Sequence, residues 1–253
     1  MSNMFGNLKS DGLEESVDRV GGGGGARESG IYPGKIKYAY SGKSDGGALS
    51  LTVAFTDSEG KDFRETLWLT NKKGENWFLN KQDNTKKIPM GGFVIAEDIC
   101  LILTGKPLAE QEIEEKVFNI YDFDAGKEIP KSVNALVELT GGEISLGILK
   151  VLEDKTKKND QTGEYEPTGE DRTLNNIDKV FDTETKLTVA EARNGEEVGK
   201  FWEKWEAANV GEGKFKDKRK AGKAGAKAGK PAGPAPQAGA AAGAPTKKLF
   251  GKK

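Results

Sequence analysis

The chain has 253 residues, with no histidine and one cysteine, so His-based catalysis, the usual zinc ligand sets and an internal disulfide are excluded. Only 35% of the residues are apolar, which predicts a modest core with long loops. The single Cys100 fits a reducing cytoplasm. The sequence predicts neither a membrane span nor a signal peptide.

Charge is divided by position along the chain. Residues 211–253 contain 12 Lys and Arg but 2 Asp and Glu, a net charge of +10. The whole chain carries −1, which leaves −11 for residues 1–210. An acidic body is therefore followed by a basic tail.

The first 30 residues predict a flexible N-terminal arm, because five glycines at 21–25 interrupt any continuing structure. Alternating apolar residues begin at Ile31 and predict successive strands. In the first strand Ile36, Tyr38 and Tyr40 are expected to share one face. The four predicted strands span residues 31–40, 48–57, 63–70 and 76–80.

A core helix is predicted next, over residues 91–106, from apolar residues at three- and four-residue spacing. Cys100 lies on its apolar face and is expected to be a buried hydrophobe. Further strands are predicted at 116–123, 132–139, 143–154 and 172–182, with a polar hairpin at 155–171.

The end of the chain predicts one amphipathic helix and then disorder. The helix is expected over residues 188–210, with Thr188 as N-cap and Glu191 completing a capping box. Trp202 and Trp205 are expected to dock it onto the strands. Residues 211–253 are rich in Lys, Ala, Gly and Pro and predict a disordered tail.

The order of four strands, a helix and more strands is typical of small β-barrels. We therefore expect a mainly β fold with added helices, in which residues 31–187 form an OB-fold-like five-stranded barrel. A generic α+β sheet domain is the alternative.

The candidate site lies in residues 61–87, where seven cations face four carboxylates. Arg64, Thr66 and Trp68 share the outward face of a strand, and the adjacent Trp77 and Phe78 must point to opposite faces. Exposed aromatics among cations suit unpaired nucleobases, which stack on the rings while lysines neutralise the phosphates. The alternative is that the tryptophans pack beneath a loop and the lysines form a solvated rim. The expected stacking residues are Trp68, Trp77 and Phe78, and the expected phosphate contacts are Lys35, Lys37, Arg64, Lys72, Lys73, Lys81, Lys86 and Lys87.

Signs of catalysis are weak, so neither an enzyme nor a cofactor is expected. The stretch YSGKS at 40–44 ends like a phosphate-binding loop, but residue 37 is Lys where that motif needs Gly. Asp122 and Asp124 could bind Mg²⁺ as in a nuclease, although two carboxylates at this spacing usually mark a strand end.

The basic tail has three candidate partners: DNA, an acidic protein surface, or the acidic body of the chain itself. Its last residues, KKLFGKK, combine four lysines with two apolar side chains, Leu249 and Phe250, that could anchor the segment on a partner. The expected partner-binding residues are Lys247, Lys248, Leu249, Phe250, Lys252 and Lys253.

Several stretches resemble single-stranded DNA-binding proteins of lytic podoviruses: DGLEESVDRVGG, SGIYPGKIKYAYSGKSDGGALSLTVAF, RETLWLTNKKG, NKQDNTKKIPMGGF, KVFNIYDFDAGKEIP and KKLFGKK. The resemblance implies an OB-fold core that coats single strands in phage replication and recombination, in the cytoplasm of the bacterial host. It also implies contacts of the C-terminus with replication proteins or host RNA polymerase. Many single-strand binders end in an acidic tail, whereas this tail is basic, so a tail that competes with DNA is not expected. The rival interpretation is an interaction protein that recruits or activates a polymerase through the tail.

Overall fold

The computed structural model describes residues 25–122, 125–159, 161, 165–219 and 250. Most of the predicted N-terminal arm and of the basic tail lies outside these residues. The described chain is mainly β, as predicted. Its strands are β1 (Gly30–Lys43), β2 (Leu49–Asp57), β3 (Asp62–Trp68), β4 (Trp77–Leu79), β5 (Lys87–Pro89), β6 (Ile113–Asp122), β7 (Lys127–Leu136), β8 (Glu143–Lys158), β9 (Tyr165–Phe181) and β10 (Lys216–Asp217). Its helices are α1 (Gly91–Thr104), α2 (Val189–Arg193) and α3 (Phe201–Asn209).

One sheet contains eight of these strands, and β4 and β5 form a separate hairpin. Strand β1 is central: it pairs antiparallel with β2 along one edge and with β8 along the other, and β7 meets it at Tyr40. Strand β9 extends the sheet beyond β8, and β6 pairs with β7.

The sheet does not close into a barrel through its backbone. Among the described residues no ladder joins β3 to β9. The carboxylate of Glu65 on β3 bridges this gap instead, because it accepts a hydrogen bond of 2.5 Å from the backbone N–H of Ile177 on β9. The five-stranded barrel therefore stays a prediction, and the observed element is an open sheet curled around a core.

The main core lies between the concave face of this sheet and α1. Leu51, Val53 and Phe55 of β2 alternate into it and are fully buried. Cys100 of α1 is also fully buried, as expected, and burial raises the pKa of its thiol. Gly105 ends the helix in the left-handed conformation with φ 72°.

The predicted face of β1 is wrong beyond Ile36. A β-bulge between Ile36 and Tyr38 inserts Lys37 as an extra residue and reverses the alternation. Ile36 packs into the main core, whereas Tyr38 points to the other side of the sheet and packs with Phe118. Tyr38 and Tyr40 therefore belong to the outward face, whereas Tyr32, before the bulge, packs against the main core.

The predicted helix over residues 188–210 is two short helices. The capping box at the start of α2 is present. The Glu191 carboxylate also accepts hydrogen bonds from the backbone N–H groups of Lys200 and Phe201, so this one side chain caps the N-termini of both α2 and α3. Between them Gly195 has φ 73°, which interrupts helical geometry. As predicted, Trp205 docks α3 onto the strands: it is 3% exposed and donates to Asp178 at 2.8 Å.

Ordered contacts extend into both predicted terminal segments. Arg27 lies in the predicted arm, yet its guanidinium contacts Asp57 at 2.9 Å and covers the Tyr32 ring at 4.8 Å. At the other end, β10 pairs in parallel with β8, and Arg219 contacts Asp171 at 2.7 Å. The described fold therefore includes the first nine residues that were assigned to the tail, residues 211–219.

Candidate nucleic-acid interface

The outward face of β2 and β3 carries polar side chains and one tryptophan. Strand alternation sends Leu67 into the main core and Trp68 to the opposite face. The ladder places Trp68 opposite Ser50 and Thr66 opposite Thr52, whose hydroxyl lies 3.0 Å from that of Thr66. The Trp68 side chain is 47% exposed. Its ring is thus available to a flat ligand, as the sequence predicted.

The β6–β7 hairpin covers the other part of this face. The rings of Phe118 and Tyr38 stack with centroids 4.8 Å apart, and Ile120 is buried beside them. Sequence alternation does not reveal this cover, because it depends on a hairpin distant in the chain. It leaves the end of the face that holds Trp68 open.

Arg64, a predicted phosphate contact, is engaged by the same hairpin. Its guanidinium donates to the carbonyl oxygen of Tyr121 at 3.4 Å. It also lies beside the phenol of Tyr38, where burial raises the pKa of Tyr38 and the Arg64 charge opposes that shift. Arg64 therefore helps to hold the hairpin over the sheet, and a phosphate would have to compete for it.

The β4–β5 hairpin presents the other predicted aromatics. Trp77 and Phe78 point to opposite faces, as their adjacency requires. Trp77 is half-buried, with the Lys87 ammonium 4.0 Å from its ring centroid, whereas Phe78 is 52% exposed. A backbone hydrogen bond from Met90 to Asn76 ties this hairpin to the start of α1. Two of the three predicted stacking residues, Trp68 and Phe78, therefore present open rings.

Several lysines of this region have no acidic partner among the described residues. No described carboxylate lies within ion-pair distance of Lys72, Lys73, Lys81 or Lys87, whereas Lys86 lies 3.2 Å from Asp83. Uncompensated cations on an acidic body leave a positive patch that can neutralise phosphates.

A local turn shapes the loop that holds two of these lysines. The Asn71 side-chain oxygen accepts hydrogen bonds from the backbone N–H groups of Lys73 and Glu75. Lys72 lies against Gly46 in the turn between β1 and β2. The loop after β3 and the turn after β1 therefore meet at one end of the sheet, the end occupied by Trp68.

Two residues of this end were missed in the sequence. Lys43 ends β1 beside Leu49, one ladder position from the Ser50–Trp68 pair, and strand alternation from Tyr40 places it on the opposite face. Tyr40 lies opposite Thr52 on the outward face and is half-buried. The YSGKS stretch held the signal for Lys43, but no sequence pattern marks the bulge that turns Tyr40 outward.

The structure does not bring Lys35 and Lys37 to this end. They lie five to seven residues before Gly42 on β1, about 15–25 Å away at about 3.3 Å per residue. Each has an acidic partner: Lys35 contacts Glu143 at 3.2 Å and Lys37 contacts Asp62 at 2.6 Å. The hydrogen bond with Asp62 raises the pKa of Lys37.

The predicted partner-binding residues of the tail fall mostly outside the described chain. Lys247, Lys248, Leu249, Lys252 and Lys253 are among those residues. Phe250 is described, and it is partly buried against the main core.

The alternative of a Mg²⁺ site at Asp122 and Asp124 gains no support from the neighbouring residues. Asp122 contacts Lys131 at 2.7 Å and accepts a hydrogen bond from the Ala125 N–H, while Asp124 lies outside the described residues. Within the described chain no group of three or more His, Cys, Asp or Glu side chains is arranged to hold a metal ion. None of the described helices is both long and apolar enough to cross a membrane.

Comparison with protein-family models gives no match, and comparison with curated proteins gives no significant similarity. The geometry of the site therefore carries the functional argument.

Proposed function

We propose that the chain binds single-stranded DNA with little base preference, through the interface formed by Trp68, Phe78, Lys72, Lys73, Lys81 and Lys87. The observation that carries the proposal is the half-exposed Trp68 ring on an outward sheet face whose neighbouring lysines have no described acidic partner. Stacking is tolerant of base identity because every base has a flat π-face, and lysine contacts to phosphate are equally indifferent to sequence. The combination fits a protein that coats single strands.

The architecture supports the same proposal. We assign β1, β2, β3, β8 and β9 to the five strands of an OB-fold, with α1 after β3. OB-folds are partly open barrels that bind oligonucleotides on the face of their second and third strands. Here that face carries Trp68. The Glu65–Ile177 hydrogen bond joins β3 to β9, the two strands that would pair if the barrel were closed. The resemblance of the sequence to podoviral proteins supports a role for this binding in phage DNA replication and recombination.

The test is a fluorescence titration with a single-stranded oligonucleotide at two ionic strengths, with the matching duplex as control. We expect quenching of tryptophan emission by the single strand, weaker quenching at high salt, and little response to the duplex. The rival, a protein that recruits a polymerase without contacting DNA, predicts no quenching at either ionic strength, and that result would refute the proposal.

A further inference from the structure

Strand β6 is an open edge of the sheet. It pairs with β7 on one side only, and none of the described residues outside β7 hydrogen-bonds to the backbone of residues 113–120. Every second residue of such a strand directs its N–H and C=O groups away from the partner strand. An exposed edge of this length is a template for another strand, and many proteins shield such edges.

The solvent-facing side of this edge is apolar at regular intervals. Ile113, Val117 and Tyr121 are 55%, 66% and 43% exposed and lie four residues apart, so they share one side of the strand. The other side packs towards the sheet through Phe118 and Ile120. The exposed stripe therefore contributes nothing to the core of its own chain.

We propose that β6 pairs antiparallel with β6 of a second copy of this chain, around a two-fold axis at Val117. A two-fold axis perpendicular to the sheet keeps every side chain on its own face, so only residues an even number apart can lie opposite each other. Two registers pair nine of the ten residues of the strand.

The charges choose between these two registers. In the register centred on Val117, Ile113 lies opposite Tyr121 of the other copy, Val117 opposite itself, and no two like charges are opposed. In the register centred on Phe118, Glu114 lies opposite Asp122 of the other copy, a repulsive pair. The Val117 register also pairs each of the three exposed apolar side chains with an apolar side chain of the other copy, with Glu115–Asn119 pairs between them.

The backbone supports the same pairing. Nine paired positions supply about eight to ten interchain hydrogen bonds, since each alternate pair exchanges two. The carbonyl of Tyr121, which already accepts from Arg64, lies at the end of the paired stretch and not at its centre. This inference does not depend on single-strand binding, so either proposal can fail alone.

The test uses sedimentation equilibrium of the full-length chain. We expect the wild type to show a concentration-dependent mass approaching twice 27.2 kDa. Because Val117 faces itself across the axis, Val117→Lys and Val117→Glu each oppose two like charges, and each variant should sediment as a monomer. An equimolar mixture of the two should restore the dimer. Val198→Lys, at a valine that is 67% exposed but away from β6, should leave the dimer intact.

Both variants change exposed side chains, and unchanged circular dichroism and thermal unfolding will show that they fold. A wild type that stays monomeric up to its solubility limit overturns the proposal. So does a Val117→Lys variant that still dimerises, or a mixture of the two variants that stays monomeric.

Discussion

At the scale of the residue, Trp68 is the clearest break in an otherwise regular pattern. The outward positions of β2 and β3 hold the polar Ser50, Thr52 and Thr66, of which Ser50 and Thr52 are buried. The indole in the same row leaves nearly half of its surface unburied within its own chain. A ligand with a flat apolar face would supply that burial.

Trp68→Ala should weaken single-strand affinity by about 1–3 kcal/mol, the usual cost of losing one base–aromatic stack. The free energy of unfolding should change little, because the ring is not part of the core. Trp205→Ala is the matched control: it removes a ring that is 3% exposed, so it should lower stability by about 3–5 kcal/mol and leave the affinity of the folded fraction unchanged. Oligonucleotide titration and denaturant unfolding of both variants measure the two effects. If Trp68→Ala unfolds the chain, Trp68 is a structural residue.

Glu65 makes stability depend on pH. Burial raises the pKa of its carboxyl to about 7, against the opposing effects of the Ile177 N–H and the charge of Lys218. The folded state therefore binds more protons than the unfolded state between pH 4.5 and 7, and the free energy of unfolding falls as pH rises through that window.

Glu65→Gln keeps an oxygen that can accept from Ile177 but cannot ionise. We expect its stability at pH 8 to exceed that of the wild type by about 1–3 kcal/mol, with the difference vanishing near pH 4.5. Urea unfolding across this pH range checks the difference. Asp98, whose burial raises its pKa to about 6, leaves a smaller slope of the same sign in the variant. Identical pH profiles for both proteins would contradict this role of Glu65.

At the scale of the element, the junction of β3 and α1 positions Trp68. A Cβ added at Gly92 would overlap the carbonyl oxygen of Trp68 and lie 2.9 Å from its backbone nitrogen. Only glycine lets the first turn of α1 approach the end of β3 this closely. The contact between Gly92 and the Trp68 backbone thus fixes the start of α1 relative to the residue that carries the exposed indole.

Gly92→Ala should push the end of β3 away from α1, lowering the free energy of unfolding by about 1–3 kcal/mol, as overpacking does. Single-strand affinity should fall as well, because Trp68 moves with its backbone. Gly91→Ala is the control: its added Cβ meets nothing within 4 Å, so both quantities should stay within about 1 kcal/mol of the wild type. Equal behaviour of the two variants in denaturant unfolding would show that the contact does not constrain the junction.

Prediction from sequence succeeded where a local pattern, such as the spacing of apolar residues or a capping motif, determines a strand or a helix. Apolar alternation predicted the strand at 48–57, which is observed as β2, and a capping box predicted the start of α2. It failed at the bulge in β1, because Lys37 carries no local sign that it is an extra residue. It also failed to divide the last helix, because that break depends on Glu191 reaching the N–H groups of a later segment.

At the scale of the whole molecule, the candidate site was predictable only in part. Sequence proximity grouped Trp68, Phe78 and the lysines after β3, because they belong to one contiguous stretch. It also included Lys35 and Lys37, which the length of β1 carries to the far end of the sheet. It missed Tyr40, which the bulge in β1 turns to the outward face that holds Trp68. Three-dimensional grouping needs the strand registers, which single-sequence patterns do not contain.

The separation of charge between body and tail gives a prediction for the complete chain. Residues 220–253 hold eight lysines and no acidic residue, so the remainder of the chain carries −9. An acidic body repels DNA as a whole, and the lysines near Trp68 attract it only locally. A basic tail that also contacts the strand would add to the number of phosphates neutralised.

Replacing the eight lysines of residues 220–253 by glutamine, while keeping Phe250 in place against the core, tests this arrangement. The slope of log affinity against log salt should become shallower by about 0.7 for each phosphate that the tail contacts. The four lysines without described acidic partners at the interface should sustain a remaining slope of about −3. A variant with arginine at the same eight positions keeps the charge and should retain the full slope. Equal slopes for the wild type and the glutamine variant would show that the tail does not touch DNA, which leaves an acidic protein surface or the acidic body of the chain itself as its partner.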